Sequence, residues 1–394
     1  MEKIKRDYLW FIALTQIPLS LVFPTYVIFL VDNGLSMAEV GVVNFAFMIG
    51  VFLFEVPTGV VADYFGRKTS VLFGVFFHAL AALVYFVTDS MVGFILAEVM
   101  CAFGSCFISG ALDAWLKDSL DVNGHGHASG HVFTRGETVK ILGTIIGGTF
   151  GVALALEDLR LPWIISAFGL FAVWPICRWL IKEEYFVKKE LTWKTGWQGM
   201  RRIVKDSVRY GWNNHMIFSL ILVCTLAVAA YQVINMNWSL YFSQRFGLEA
   251  ISWLWVLIMS ASMVGTMIGG RLMHGRMGRV GVMRSTLFMN AVLFVLIAVV
   301  PQAGVVLFFF LVHELNRGAF VPAEKTFLQN NIASSDIRAT VGSFKSMIVV
   351  SGAAAGWLAS GVLLTVWSFE TILFISAGVL AVAAMLARRL EAKM

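Results

Sequence analysis

Gly59, Asp63, Gly66, Arg67 and Lys68 stand together in a short polar seam between two apolar runs. No other stretch packs so much polar chemistry beside the apolar runs. Gly59 suits close helix approach, Asp63 falls where the next helix should begin and would face its partial positive N-terminus, and Arg67 and Lys68 mark a cytoplasmic edge. A second set of charges lies inside apolar runs: Glu55, Glu98, Asp113, Arg135, Glu137, Lys140, Glu314, Arg317 and Lys345. A charge in such a place is costly unless it meets a partner or water, so each is a functional candidate.

A carboxyl group in a low-dielectric cavity keeps its proton to higher pH, which is what a proton carrier needs. Glu98 and Glu314, read as nearer the bilayer middle, are the candidates for proton coupling. Alternatively Glu98 is a solvated wall acid, and Glu314 a static pair with Arg317 on one helix face. Lys140 and Lys345 would either face a central cavity and bind an anionic or zwitterionic substrate with Arg317, or neutralise Glu98 or Glu137. Gln16, Asn44, Gln232 and Asn235 are hydrogen-bonding groups among aromatics, suited to an amphipathic organic ligand or to interhelical hydrogen bonds. His125, His127 and His131 have metal-like spacing, but their loop is glycine-rich and short of further ligands, so no metal is expected. No nucleophile elbow, zinc-protease helix or phosphate-binding glycine loop is present in the sequence, and the chain reads as no enzyme.

The elements that must position these groups are membrane spans. The chain has 394 residues, of which 59% are hydrophobic and 14% charged, with a mean hydropathy of +0.80; this excludes an ordinary soluble domain. Apolar segments of about twenty residues fall near 9–31, 39–60, 69–88, 91–115, 132–156, 161–181, 214–243, 250–270, 282–300, 304–323, 340–365 and 369–387, predicting twelve spans. Of the 30 Lys and Arg residues, Arg160 and Arg245 fall on one side, Arg135, Lys140, Arg317 and Lys345 within spans, and the rest on the other side. The positive-inside rule then makes both termini cytoplasmic. The net charge of +6 is spread over loops, so nucleic acid is not an expected partner. Cys101, Cys106, Cys177 and Cys224 lie in apolar segments and suggest no disulfide framework.

The charged stretch 182–213 divides an N-terminal bundle, 1–181, from a C-terminal one, 214–394. Trp193, Trp197, Met200, Val204 and Val208 recur within it at helical spacing among basic residues, the pattern of an amphipathic helix on the inner leaflet; a solvated linker is the alternative. The halves echo each other: Asn33-Gly34-Leu35 with Phe246-Gly247-Leu248, and Gly110-Ala111 with Gly318-Ala319. Span five carries the ladder Gly143, Gly147, Gly148 and Gly151, matched in span eleven by Gly352, Gly356 and Gly361.

The Gly59–Lys68 seam resembles the signature loop between the second and third helices of the major facilitator superfamily. The resemblance implies an all-α membrane protein of two pseudo-symmetric six-helix bundles around a midplane cavity, working by alternating access. It also implies a cytoplasmic latch in which Asp63 and Arg67 join an acid low on span four, matched here by Asp113, with Arg135 beside it. The span-five ladder resembles the glycine motif of antiporters, although the usual proline is missing. Glu55-Val56-Pro57-Thr58-Gly59 and Gly110-Ala111-Leu112-Asp113-Ala114-Trp115 look like bacterial and archaeal drug-efflux-type members. The implied function is proton-coupled export of a small amphipathic compound by a monomer in the cell inner membrane, with a proton gradient as energy source and no cofactor. The alternative is a proton-coupled importer or symporter of a nutrient or organic anion, favoured by Lys140, Arg317 and Lys345.

Overall fold

A computed structural model describes residues 1–183, 214–331 and 335–390. The amphipathic helix expected in 182–213 lies outside the described residues. Those described form long helices and no strand, as they must if backbone N–H and C=O groups are to be satisfied in lipid.

Span one is broken. It runs as Glu2–Ser20, turns through residues 21–25 and resumes as Tyr26–Asp32. Pro24 explains the break, because it has no N–H to give and disfavours helical geometry at Phe23. Eleven unbroken spans follow: two, Met37–Phe65; three, Arg67–Val87; four, Met91–Val122; five, Ser129–Ala155; six, Leu161–Leu180; seven, His215–Phe246; eight, Ala250–Leu272; nine, Gly278–Val299; ten, Ala303–Asn330; eleven, Ser335–Leu363; twelve, Phe369–Ala387. Each of these eleven contains a stretch long and apolar enough to cross a membrane. The result is an all-α protein with twelve spans.

The chain forms two compact units. One holds Met1–Leu35, Ala46–Gly196 and Phe246–Trp255; the other holds Ser36–Phe45, Trp197–Arg245 and Val256–Met394. Lipid tails are as apolar as leucine, so helices associate here through close packing rather than by escaping water. The glycine ladders supply that packing. Gly143, Gly147 and Gly151 of span five lie against Gln16, Ile17 and Leu21 of span one, so near that a side chain at Gly147 or Gly151 would meet span-one backbone. Gly352 and Gly356 of span eleven lie against Thr225 and Ala229 of span seven in the same manner. The echoed turns also match, since Gly34 and Gly247 both take a φ of +86°, a conformation glycine accepts freely. In the first unit Phe11, Val71, Val75, Leu116, Leu120 and Leu170 form part of one buried apolar cluster.

Candidate functional site

Polar groups gather at three places. The first is the seam at the end of the first unit. Gly66 has a φ of +95° and caps span three; that backbone suits glycine. The first N–H groups of span three are orphans by geometry, and Glu183 satisfies them. Its Oε1 accepts from Arg67 N at 2.8 Å and its Oε2 from Lys68 N at 3.0 Å. Trp115 Nε1 donates to Lys182 O at 2.8 Å, which holds the chain just before Glu183.

The sequence expectation for this seam needs three corrections. Asp63 does not face the helix N-terminus; it pairs with the Arg67 side chain, Nη1 to Oδ1 at 2.7 Å, one turn along. The span-four acid nearest Arg67 is Asp118, with Nε to Oδ2 at 3.8 Å, rather than Asp113, which accepts from Tyr8 Oη at 3.2 Å. The reason is axial distance: Asp113 lies five residues, about 7.5 Å, further along span four, while Arg67 opens span three and reaches only the last turns of its neighbour. Gly59 is exposed and, among the described residues, no neighbouring helix comes within 4 Å of where its Cβ would sit. Arg135, Glu137 and Lys140 are all exposed on span five. Among the described residues, no ion pair engages Arg135.

The second place is the core of the first unit around Glu98. Its Oε1 accepts from Tyr85 Oη at 2.5 Å and from Tyr26 Oη at 2.7 Å. Trp163 stacks on Tyr85 with ring centroids 3.9 Å apart, and Phe29 and Phe94 close the surround. Glu98 is 7% exposed. It lies about two turns from the start of span four at Met91, nearer that end than the middle expected from sequence. Tyr26 also opens the second half of span one, so the carboxylate ties that half-helix to spans three and four.

The third place is in the second unit. Glu314, 2% exposed, sits 3.3 Å from Arg317 Nη1. Arg317 Nη1 also donates to Asn235 Oδ1 at 2.8 Å, and Asn235 Nδ2 donates to Gln232 Oε1 at 3.1 Å. Arg317, Asn235 and Gln232 thus form one chain between spans ten and seven. Lys345 pairs with Glu324 of span ten, a partner different from the Glu98 or Glu137 considered from sequence. Gln16 donates to Thr144 Oγ1 of span five at 2.9 Å, and Asn44 to Val40 O within its own helix at 3.0 Å.

Sequence reasoning missed Glu183, Asp118, Glu324 and His313. The first two stand among ordinary charged span ends. His313 directly precedes Glu314 and is fully buried; the readable signal was His-Glu-x-x-Arg inside an otherwise apolar span.

Two helical units with equivalent glycine packing, and charges sealed within their spans, define a membrane transporter built from repeats. The profile of the Major Facilitator Superfamily matches residues 9–335, and the chain belongs to that family of secondary transporters. It is 23% identical over 240 residues to an uncharacterised MFS-type transporter, YxaM, of Bacillus subtilis (strain 168), covering 59% of this chain and 57% of that one. It is likewise 23% identical over 232 residues to Multidrug resistance protein 2 of the same organism, covering 58% and 56%. The matched stretches therefore span just over half the length of these relatives. Among solved structures, the nucleoside transporter NupG superposes with a TM-score of 0.78 at 15% identity, over 99% of this chain and 100% of that one. A bacterial homologue of the iron transporter ferroportin gives 0.78 at 16% identity over 100% of both. At such identities the likeness is one of fold alone.

Proposed function

We propose that this transporter exports a small amphipathic organic compound in exchange for protons, by alternating access, as a monomer in the cell inner membrane with both termini cytoplasmic. The observation that carries the reading is the buried Glu314: one oxygen faces Arg317 and the other, Oε2, has no hydrogen-bond partner among the described residues. A sealed carboxylate that exchanges between charged and neutral forms biases a two-state equilibrium. Glu98, buried under two tyrosine hydroxyls, is the corresponding group of the first unit. Gln232 and Asn235, with Gln16, Asn44, Lys140, Arg317 and Lys345, remain the substrate-binding candidates. Asp63, Arg67 and Lys68, with Gly66 and Arg135 and with Asp118 in place of Asp113, serve the cytoplasmic gate. Export is supported by the drug-efflux-like sequence around the seam and by the similarity to Multidrug resistance protein 2.

Import of an organic anion draws less support, because the two half-buried cations that favour it already have carboxylate partners, Arg317 in Glu314 and Lys345 in Glu324. Flux in reconstituted vesicles tests the choice, using a panel of amphipathic dyes and an imposed pH gradient. Dye movement against the proton flow, abolished by a protonophore, is expected. Accumulation along the proton flow overturns export.

A further inference from the structure

The first unit holds a cavity of about 540 Å³ which, among the described residues, none of the gate or coupling candidates lines. It lies at the end where span one begins and spans four and six finish. Span one brings Lys3 and Asp7, span four brings Trp115, Ser119 and Asn123, and span six brings Leu180, with Lys182 just past its end. The size falls in the range of small-molecule pockets, about 300–1,000 Å³. Its wall is fixed, because Trp115 is 2% exposed and its indole N–H holds Lys182 O at 2.8 Å.

Asp7 is the telling group. Aspartates are almost never this deeply covered unless paired, yet Asp7 is 6% exposed. Arg6, whose side chain is 60% exposed, donates from Nε and Nη2 to Asp7 Oδ1 at 3.3 and 3.2 Å. Arg6 itself lines a separate cavity, with Trp10 and Val139. Among the described residues nothing donates to Asp7 Oδ2, and a buried carboxylate oxygen normally has a donor. Asn123 adds a second acceptor: its Nδ2 donates to Ser119 O at 2.8 Å, which leaves Oδ1 to accept. Lys3 and Lys182 supply the opposite charge. Both are exposed, and among the described residues no ion pair engages either.

This set of groups selects its ligand. An anion alone would meet Lys3 and Lys182 but press against Asp7, and a cation alone would satisfy Asp7 but face two lysines. A zwitterion satisfies both. The acceptors require N–H donors, so the cationic end is a primary ammonium and not a quaternary one; the anionic end, met by two lysines, is a phosphate. We propose that this cavity binds one phosphoethanolamine group, with its ammonium at Asp7 and Asn123 and its phosphate at Lys3 and Lys182. That chemistry comes either as a phospholipid headgroup or as a soluble zwitterion. The lipid is the favoured source: the apolar run of span one begins near residue 9, which sets the cavity at the edge of the bilayer core, and Val122, 64% exposed on its rim, offers apolar surface to an acyl chain.

The probes are dioleoyl phosphatidylethanolamine, the matching phosphatidylcholine and soluble phosphoethanolamine. Native mass spectrometry of the full chain, released from mixed micelles holding the two lipids in equal amount, counts what stays bound. One phosphatidylethanolamine should stay, preferred about tenfold, because the quaternary ammonium of the other lipid gives Asp7 no N–H and so forfeits a charge-assisted hydrogen bond. Asp7→Asn should bring the ratio close to one. Lys3→Gln combined with Lys182→Gln should lower retention, whereas Lys117→Gln, which removes a cation of span four outside the cavity, should change nothing. Equal retention of both lipids by the wild-type protein overturns the site, as does an intact preference in folded Asp7→Asn. If Asp7→Asn does not fold, the two exposed lysines decide: retention unchanged by their removal overturns the site. Displacement of the lipid by soluble phosphoethanolamine supports the site and assigns it to a free zwitterion; resistance to displacement supports it as a headgroup site.

Discussion

At the scale of residues, the decisive fact is which acid meets which base. Glu183 caps span three through two backbone N–H groups, so Glu183→Ala should destabilise the protein by about 1 kcal/mol, as loss of a capping side chain does. Thermal unfolding of the purified variant measures this. Asp118, and not Asp113, stands near Arg67, so Asp118→Asn should slow transport more than Asp113→Asn; the reverse order in a flux assay removes Asp118 from the gate. The Lys345–Glu324 pair gives a sharper test. Lys345→Met alone leaves a buried carboxylate unmatched, at a cost of about 3–5 kcal/mol, whereas Lys345→Met with Glu324→Gln should restore much of the stability. If the double variant still transports, Lys345 serves structure and not the substrate. These partners were hard to read from sequence because spacing along a chain fixes the side of a helix, while the choice among Asp113, Asp118 and Glu183 depends on how deep each sits beside a neighbouring span. His313 was passed over for another reason: a single histidine in an apolar helix reads as core until its nitrogens are seen to lack partners among the described residues.

At the scale of elements, the spans themselves were legible, since about twenty apolar residues are needed to cross a bilayer and polar stretches separate the runs. The glycine ladders were legible too, because a spacing of four puts Gly143, Gly147 and Gly151 on one helix face. Which helix that face meets was not, for any neighbour offers a similar apolar surface. The structure gives span one. Gly147→Val should therefore force spans one and five apart and lower folded yield strongly, whereas Gly59→Ala, with open space at its Cβ, should stay within about 0.5 kcal/mol of the parent. Unfolding in a denaturing detergent series checks both. A severe loss in Gly59→Ala would restore close packing as its role.

At the scale of the whole molecule, the matched glycine contacts of spans one and five, and of seven and eleven, make each half a version of the same joint. The chemistry inside the halves differs. The first unit seals Glu98 under tyrosines, the second sets Glu314 beside a histidine and an arginine. Glu314→Gln should therefore flatten the pH dependence of flux, and comparison of pH profiles with Glu98→Gln shows which half governs coupling. The broken first span also bears on biosynthesis. It meets the insertion machinery as the apolar run near 9–31, but it folds as helices of 19 and 7 residues, so insertion alone does not complete it. Its lasting seat is made by later chain, the Gly143–Gly151 face of span five and the Glu98 tether of span four. Newly made chains should thus hold their first segment loosely until the fifth has emerged, and truncations ending before Ser129 should leave it open to extraction from the bilayer.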